Sequence, residues 1–187
     1  MPYFESITPK QTESKILELS GVDGASQQSV LIQWGNQIEK WWNHVISDLP
    51  HVTNYAEIYG NMIVVKDKNR QTDHLFRIRS ALEVVYLESK SYLGFDSEKT
   101  VASNNKVQEV TEAVENKYNL PVTSGYFTPC EMVPNIKDVN KYGKLGIGVY
   151  GPKWLIEKLE CDLFTVEELE SALRNEVAEI TRRKLGR

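Results

Sequence analysis

Apolar residues between Ser26 and Leu49 recur at Val30, Trp34, Ile38, Trp41, Val45 and Leu49. Steps of three or four place them on one face of a helix, and Pro50, which has no N–H to give, ends it. A shorter helix is predicted over residues 9–19, with Ile16 and Leu19 inward and the Gly21 to Gly24 segment as its stop. After Thr53 aromatic and β-branched residues replace helix formers, the composition of a pleated, half-buried surface. Strands are predicted at about 55–65 (YAEIYGNMIVV), 72–78 (TDHLFRI) and 83–90 (EVVYLESK). The polar turn KDKNR joins the first two, and all three form an antiparallel meander.

Helical spacing returns over residues 97–117, marked by Val101, Val107, Val110 and Val114, with Ser97 as N-cap. The segment VTSGYF reads as a strand beside the third; Gly125 weakens it and Pro129 closes it. Residues 135–151 are rich in Gly and Lys, and GIGVY within them is a short strand without an assigned place. Helices are predicted over 152–159 and 166–184. The latter is opened by Thr165 and Glu168 in capping-box spacing and closed by Arg182, Arg183 and Lys184 at its negative end. This order of elements describes an α/β protein.

A chain of 187 residues supports one proper core and is short for two, so residues 1–187 are expected to form a single domain. The 41% apolar and 26% charged content is that of a folded rather than a disordered chain. Cys130 and Cys161 lie in unrelated contexts, with neither zinc spacing nor a disulfide framework. No basic-then-apolar leader and no membrane-length apolar run is present. A cytoplasmic location without membrane contact is expected. The net charge of −4 argues against strong independent binding to nucleic acid, which depends on phosphate neutralisation by Lys and Arg.

The chemistry concentrates on the predicted meander. Residues two apart on a strand share a face, so Glu88 and Lys90 project together while Leu87 and Ser89 point to the other side. Asp73 on the preceding strand lies within reach of Glu88 across the roughly 5 Å between neighbouring strands. Two converging carboxylates suit Mg²⁺, a hard ion that takes carboxylates, waters and phosphate oxygens; Mn²⁺ suits the same ligands. Such an ion polarises a phosphate and acidifies its water, and Lys90 can orient that water, take its proton if desolvation lowers its own pKa, or stabilise developing charge.

The TDHLF segment followed by Glu88-Ser89-Lys90 resembles the PD-(D/E)XK nuclease superfamily, which includes most type II restriction endonucleases. The resemblance covers roughly residues 26–128 through the order helix, hairpin, helix and strand; it departs at Thr72, where the motif is named for proline. It implies a restriction-endonuclease-like core, a central mixed sheet flanked by helices, and double-stranded DNA as substrate. It also implies the Ser89 carbonyl as a metal ligand beside Asp73 and Glu88, and a further acid on the preceding helix. Glu39 is the candidate for that acid, with Glu98 and Asp96 behind it. More narrowly, the size and the TDHLF and YLESKSYLGFDSEK segments look like the small cleavage subunit of a heterodimeric type IIS restriction endonuclease. In such systems a larger site-recognising subunit nicks one strand and the small subunit cuts the other. A partner of this kind would account for the acidic charge.

Blander readings stand beside this one. Asp, Glu and Lys on neighbouring strands also form solvated charge networks, and a non-catalytic interaction protein is one alternative. A self-sufficient homodimeric endonuclease, with recognition residues in loops 91–96 and 130–153, is another. Glu39 on a helix commonly pairs with a nearby Lys. His74 points away from Asp73 and is expected to pack, while His44 and His51 are expected at the surface. Lys66, Lys68, Arg70, Arg77 and Arg79 form one candidate phosphate patch, and Lys137, Lys141, Lys144 and Lys153 form a candidate DNA-backbone loop. Trp34 and Trp41 are expected in the core.

Overall fold

The strand of highest apolar density, residues 83–89, is buried along its whole interior, and a strand of that kind needs cover on both faces. The computed structural model, which describes residues 27–55, 62–66, 68–90, 93, 97–129 and 131–172, supplies it. The elements are α1 (Gln27–Asp48), β1 (Val52–Asn54), β2 (Met62–Val65), β3 (Lys68–Gln71), β4 (His74–Ile78), β5 (Glu83–Ser89), α2 (Ser97–Tyr118), β6 (Val122–Phe127), α3 (Ile136–Gly143), β7 (Gly148–Tyr150) and α4 (Pro152–Leu159). Five strands form a sheet in the order β1-β4-β5-β6-β7. Neighbours β1, β4 and β5 run antiparallel, whereas β5, β6 and β7 run parallel. The protein is therefore α/β, with a mixed central sheet flanked by helices.

Alternation along β5 divides the core in two. Val85 and Leu87, with Phe76, Ile78 and Phe127, pack under Trp42, Val45, Ile46 and Leu49 of α1 and Leu155 and Leu159 of α4. Val84 and Tyr86, with Leu75 and Tyr126, pack under Val107, Val110 and Val114 of α2. Trp42 sets its edge against Phe127 at 5.3 Å between ring centroids, a favoured aromatic arrangement.

The meander differs from expectation at its first strand. Val52–Asn54, rather than residues 55–65, pairs with β4. Met62–Val65 leaves the main sheet and pairs with Lys68–Gln71 in a separate ribbon, so most of the expected KDKNR turn is itself a strand. The ribbon is held by α2: Ile63 and Val65 bury beside its valines, while Lys66 and Arg70 reach Glu109 at 2.9 and 3.5 Å. Residues 136–143, expected as loop, form helix α3, opened by Asn135, whose side chain accepts from the Lys137 N–H. Its buried Tyr142 donates to the Leu93 carbonyl at 2.9 Å. On α1 the fully buried tryptophan is Trp42, with Trp41 half-buried beside it. Val101, an expected core marker, is exposed. The capping box is formed, Thr165 and Glu168 exchanging bonds of 2.9 and 3.1 Å. The predicted helix over 9–19, the Trp34 side chain and residues 173–184 of the predicted C-terminal helix lie outside the described residues. Among those described, no helix is long and apolar enough to cross a membrane.

Gly125, which reads as a weakness in strand β6, is where β7 comes closest. It sits in register with Gly148, and a Cβ there would overlap the Gly148 carbonyl. Gly125→Ala is expected to push β7 off β6 and to cost about 1–3 kcal/mol, the usual penalty for overpacking. In a thermal melt this lowers Tm by several degrees; an unchanged Tm would show that the close approach is not needed.

Candidate active site

The β4–β5 register pairs His74 with Leu87, and one further step sets Asp73 opposite Glu88. Directly opposed residues of antiparallel strands point to the same side, here the side covered by α2. Asp73 Oδ2 accepts the Ser89 N–H at 2.8 Å, so its carboxylate lies against the backbone between Glu88 and Lys90. The Lys90 N–H continues the β5–β6 ladder to the Phe127 carbonyl at 2.8 Å. The Lys90 charge acts on Asp73, helping to lower its proton affinity.

Glu88 is 2% exposed, and a carboxylate so buried needs partners. Its Oε1 accepts the Tyr86 hydroxyl at 2.7 Å. Its Oε2 accepts Lys106 Nζ at 2.6 Å. Tyr86 is the strand neighbour two residues back on the same face, and Lys106 comes from α2. Neither was among the sequence candidates. Lys106 lies one turn before Val110 on the flank of the valine stripe, so a cation beside a buried helical face was the available signal.

Glu39 joins from α1. Burial, followed by the charges of Asp73 and Glu88, pushes its pKa up to about 7. Burial and the nearby Glu88 likewise raise Asp73 to about 6, against the lowering influence of Lys106, the Ser89 N–H and Lys90. The fold thus brings Asp73, Glu88, Lys90 and Glu39 into one electrostatic neighbourhood. Carboxylates that repel one another and hold protons too tightly form a setting that an oxygen-seeking divalent cation would relieve. Among the described residues no group of three His, Cys, Asp or Glu side chains is arranged to hold one ion, so Asp73 and Glu88 are the donor pair on offer. Asp96 and the Glu98 side chain lie outside the described residues.

His74 faces the α1 side and is fully buried. Asn43 donates from Nδ2 to the Asp73 carbonyl at 2.8 Å, which leaves Asn43 Oδ1 to accept from His74 Nδ1 at 3.1 Å. His74 Nε2 is then an acceptor, taking the Ser89 hydroxyl at 2.8 Å. Burial lowers the His74 pKa to about 3 and keeps the ring neutral. This Asn43–His74–Ser89 chain ties α1 to both strands directly behind the acids.

Other candidates lie outside the constellation. Lys66 and Arg70 are ion-paired with Glu109, which removes two members from the first phosphate patch. Lys137 and Lys141 stand on α3 rather than on a loop, and the Lys141 ammonium lies 4.9 Å from the centre of the Tyr142 ring. His44 is exposed near Asp48 at 3.6 Å. His51, expected at the surface, is half-buried and donates to the Leu159 carbonyl at 2.6 Å. Cys161 is a free, half-buried thiol, and Cys130 lies outside the described residues. No protein-family profile and no curated protein matches the chain.

The raised Asp73 pKa makes the site costly at neutral pH. A folded-state value of about 6 against an ordinary 3.8 means a contribution that is fully favourable below pH 3.8 and lost as pH rises through 6. His74, lowered from 6.5 to about 3, has the opposite sense and favours the folded state least in acid. Asp73→Asn removes the first effect and leaves the second. The variant is expected to be more stable than wild type at pH 8 by about 1–2 kcal/mol after allowing for solvent screening, and to match it near pH 4. Paired thermal melts at the two pH values check this.

Proposed function

We propose that this protein is a metal-dependent endonuclease with a restriction-endonuclease-like core, hydrolysing DNA phosphodiester bonds. The observation that carries the proposal is the meeting of Asp73 and Glu88 at one strand end, against the Ser89 backbone, with Lys90 and Glu39 in electrostatic range. Asp73 and Glu88, with the Ser89 carbonyl, would hold Mg²⁺ or Mn²⁺. When bound, such an ion supplies Lewis acidity toward a phosphate oxygen and lowers the pKa of its water. Lys90 orients the attacking water and offsets charge that develops on the phosphate. Glu39, with a pKa of about 7, is matched to accepting a proton from that water near neutral pH.

The net charge of −4 and the engagement of Lys66 and Arg70 by Glu109 support dependence on a second chain for grip on DNA. We take that chain to be a larger subunit that recognises the site and nicks one strand, this protein cutting the other. A second reading, an interaction protein without catalysis, is favoured by one observation: both Glu88 oxygens already have protein partners.

Plasmid cleavage with Mg²⁺ tests these readings, using wild type and Asp73→Ala alone and mixed with the product of an adjacent larger endonuclease gene. Double-strand breaks are expected only in the wild-type mixture, with Asp73→Ala reduced by at least about 10²-fold. At limiting Mg²⁺ the wild-type rate should rise with pH, because protons held by Asp73 and Glu39 compete with the cation. Site-specific double-strand cutting by the chain alone would overturn the need for a partner. No break attributable to the chain in either setting would leave the interaction reading in its place.

A further inference from the structure

The two bonds that hold Glu88 differ in permanence. Tyr86 is fully buried and donates its hydroxyl to Oε1 at 2.7 Å, a bond that water does not reach. Lys106 keeps 30% of its side chain exposed against 3% for Glu88. Its ammonium is a compact charge on a flexible stem that can withdraw into water. The backbone carrying it is held in place. Val107, Val110 and Val114 anchor α2 in the core, and Asn104, one turn ahead of Gln108, accepts the Tyr126 hydroxyl at 2.8 Å. Oε2 is therefore the exchangeable position of the buried acid, and a tethered cation fills it.

We infer that Lys106 is a built-in competitor for the metal position, occupying Glu88 Oε2 until a divalent cation displaces it. The inference rests on the metal-site reading of Asp73 and Glu88. Lys106 Nζ sits 2.6 Å from Oε2, and a second cation at that buried oxygen would meet it with strong repulsion; Tyr86 takes one acceptor position of the other oxygen, so ligation through Oε2 requires Lys106 to leave. Because α2 does not move with it, the released ammonium stays beside the site, where a phosphate group would next need a counter-charge. Lys106 is thus a positioning and regulatory residue: it keeps the acids compensated in the empty site and weakens cation binding.

Mn²⁺ binding followed by electron paramagnetic resonance tests this with the full chain. Lys106→Gln retains a donor toward Oε2 without the charge and is expected to bind Mn²⁺ about tenfold more tightly than wild type, whereas Lys106→Arg should show no gain. In the wild-type protein, saturating Mg²⁺ should shift the Lys106 ¹³Cε resonance to that of a solvated lysine. Equal or weaker Mn²⁺ binding by a folded Lys106→Gln protein, with binding by wild type intact, overturns the competitor role and leaves the metal-site reading standing. Absence of Mn²⁺ binding in both proteins removes the metal-site reading and this inference together. Should Lys106→Gln fail to fold, the wild-type resonance decides: no shift on Mg²⁺ saturation overturns the proposal.

Discussion

Everything at the site depends on the register between β4 and β5. A slip of one residue on either strand would exchange the two faces of the sheet. It would send Glu88 toward the tryptophan side and bring Leu87 under α2. Two sets of contacts hold the strands against that slip. On one face Phe76, Val85 and Leu87 fit beneath α1; on the other Leu75, Val84 and Tyr86 fit beneath α2. The Ser89 N–H to Asp73 bond ties β5 to the residue just before the first strand residue of β4. A backbone group that the ladder would otherwise leave exposed orients the carboxylate instead.

The polar groups at this strand end fall into two kinds. Behind the sheet, Asn43, His74 and Ser89 satisfy one another with a single consistent set of donors and acceptors, the condition under which a buried polar network stiffens a structure rather than weakening it. At the same strand end, Asp73 and Glu39 are held in a charge-crowded setting that raises their proton affinity. The stiff network fixes where the strained acids stand. Keeping a fully satisfied network beside the acids lets the fold tolerate an unfavourable charge cluster at this strand end.

Helices and strands with strong periodicity were legible in the sequence: α1, β4, β5, α2 and β6 lie where the apolar spacing put them, and the meeting of Asp73 and Glu88 followed from strand alternation. Glu39 was legible only as an acid beside an apolar stripe. The misses have physical causes. The β2–β3 ribbon carries apolar residues on one strand only, and its second strand, Lys68–Gln71, is held by its ladder with β2 and the Arg70–Glu109 ion pair rather than by core burial. Helix α3 has a single buried side chain, Tyr142, too little to set a helical period. Lys106 and Tyr86 could not be assigned because a partner for Glu88 depends on which helix covers which face, and alternation along one strand does not carry that information.

Both edges of the five-stranded sheet, β1 and β7, are only three residues long. Short edges offer little backbone for a foreign strand to pair with, a recognised protection against edge-to-edge aggregation. The same brevity bears on assembly. A second protein gains little by extending this sheet, so stable association has to be built from side chains on the helices and connecting segments, where shape and charge discriminate between partners more sharply than a shared backbone ladder does.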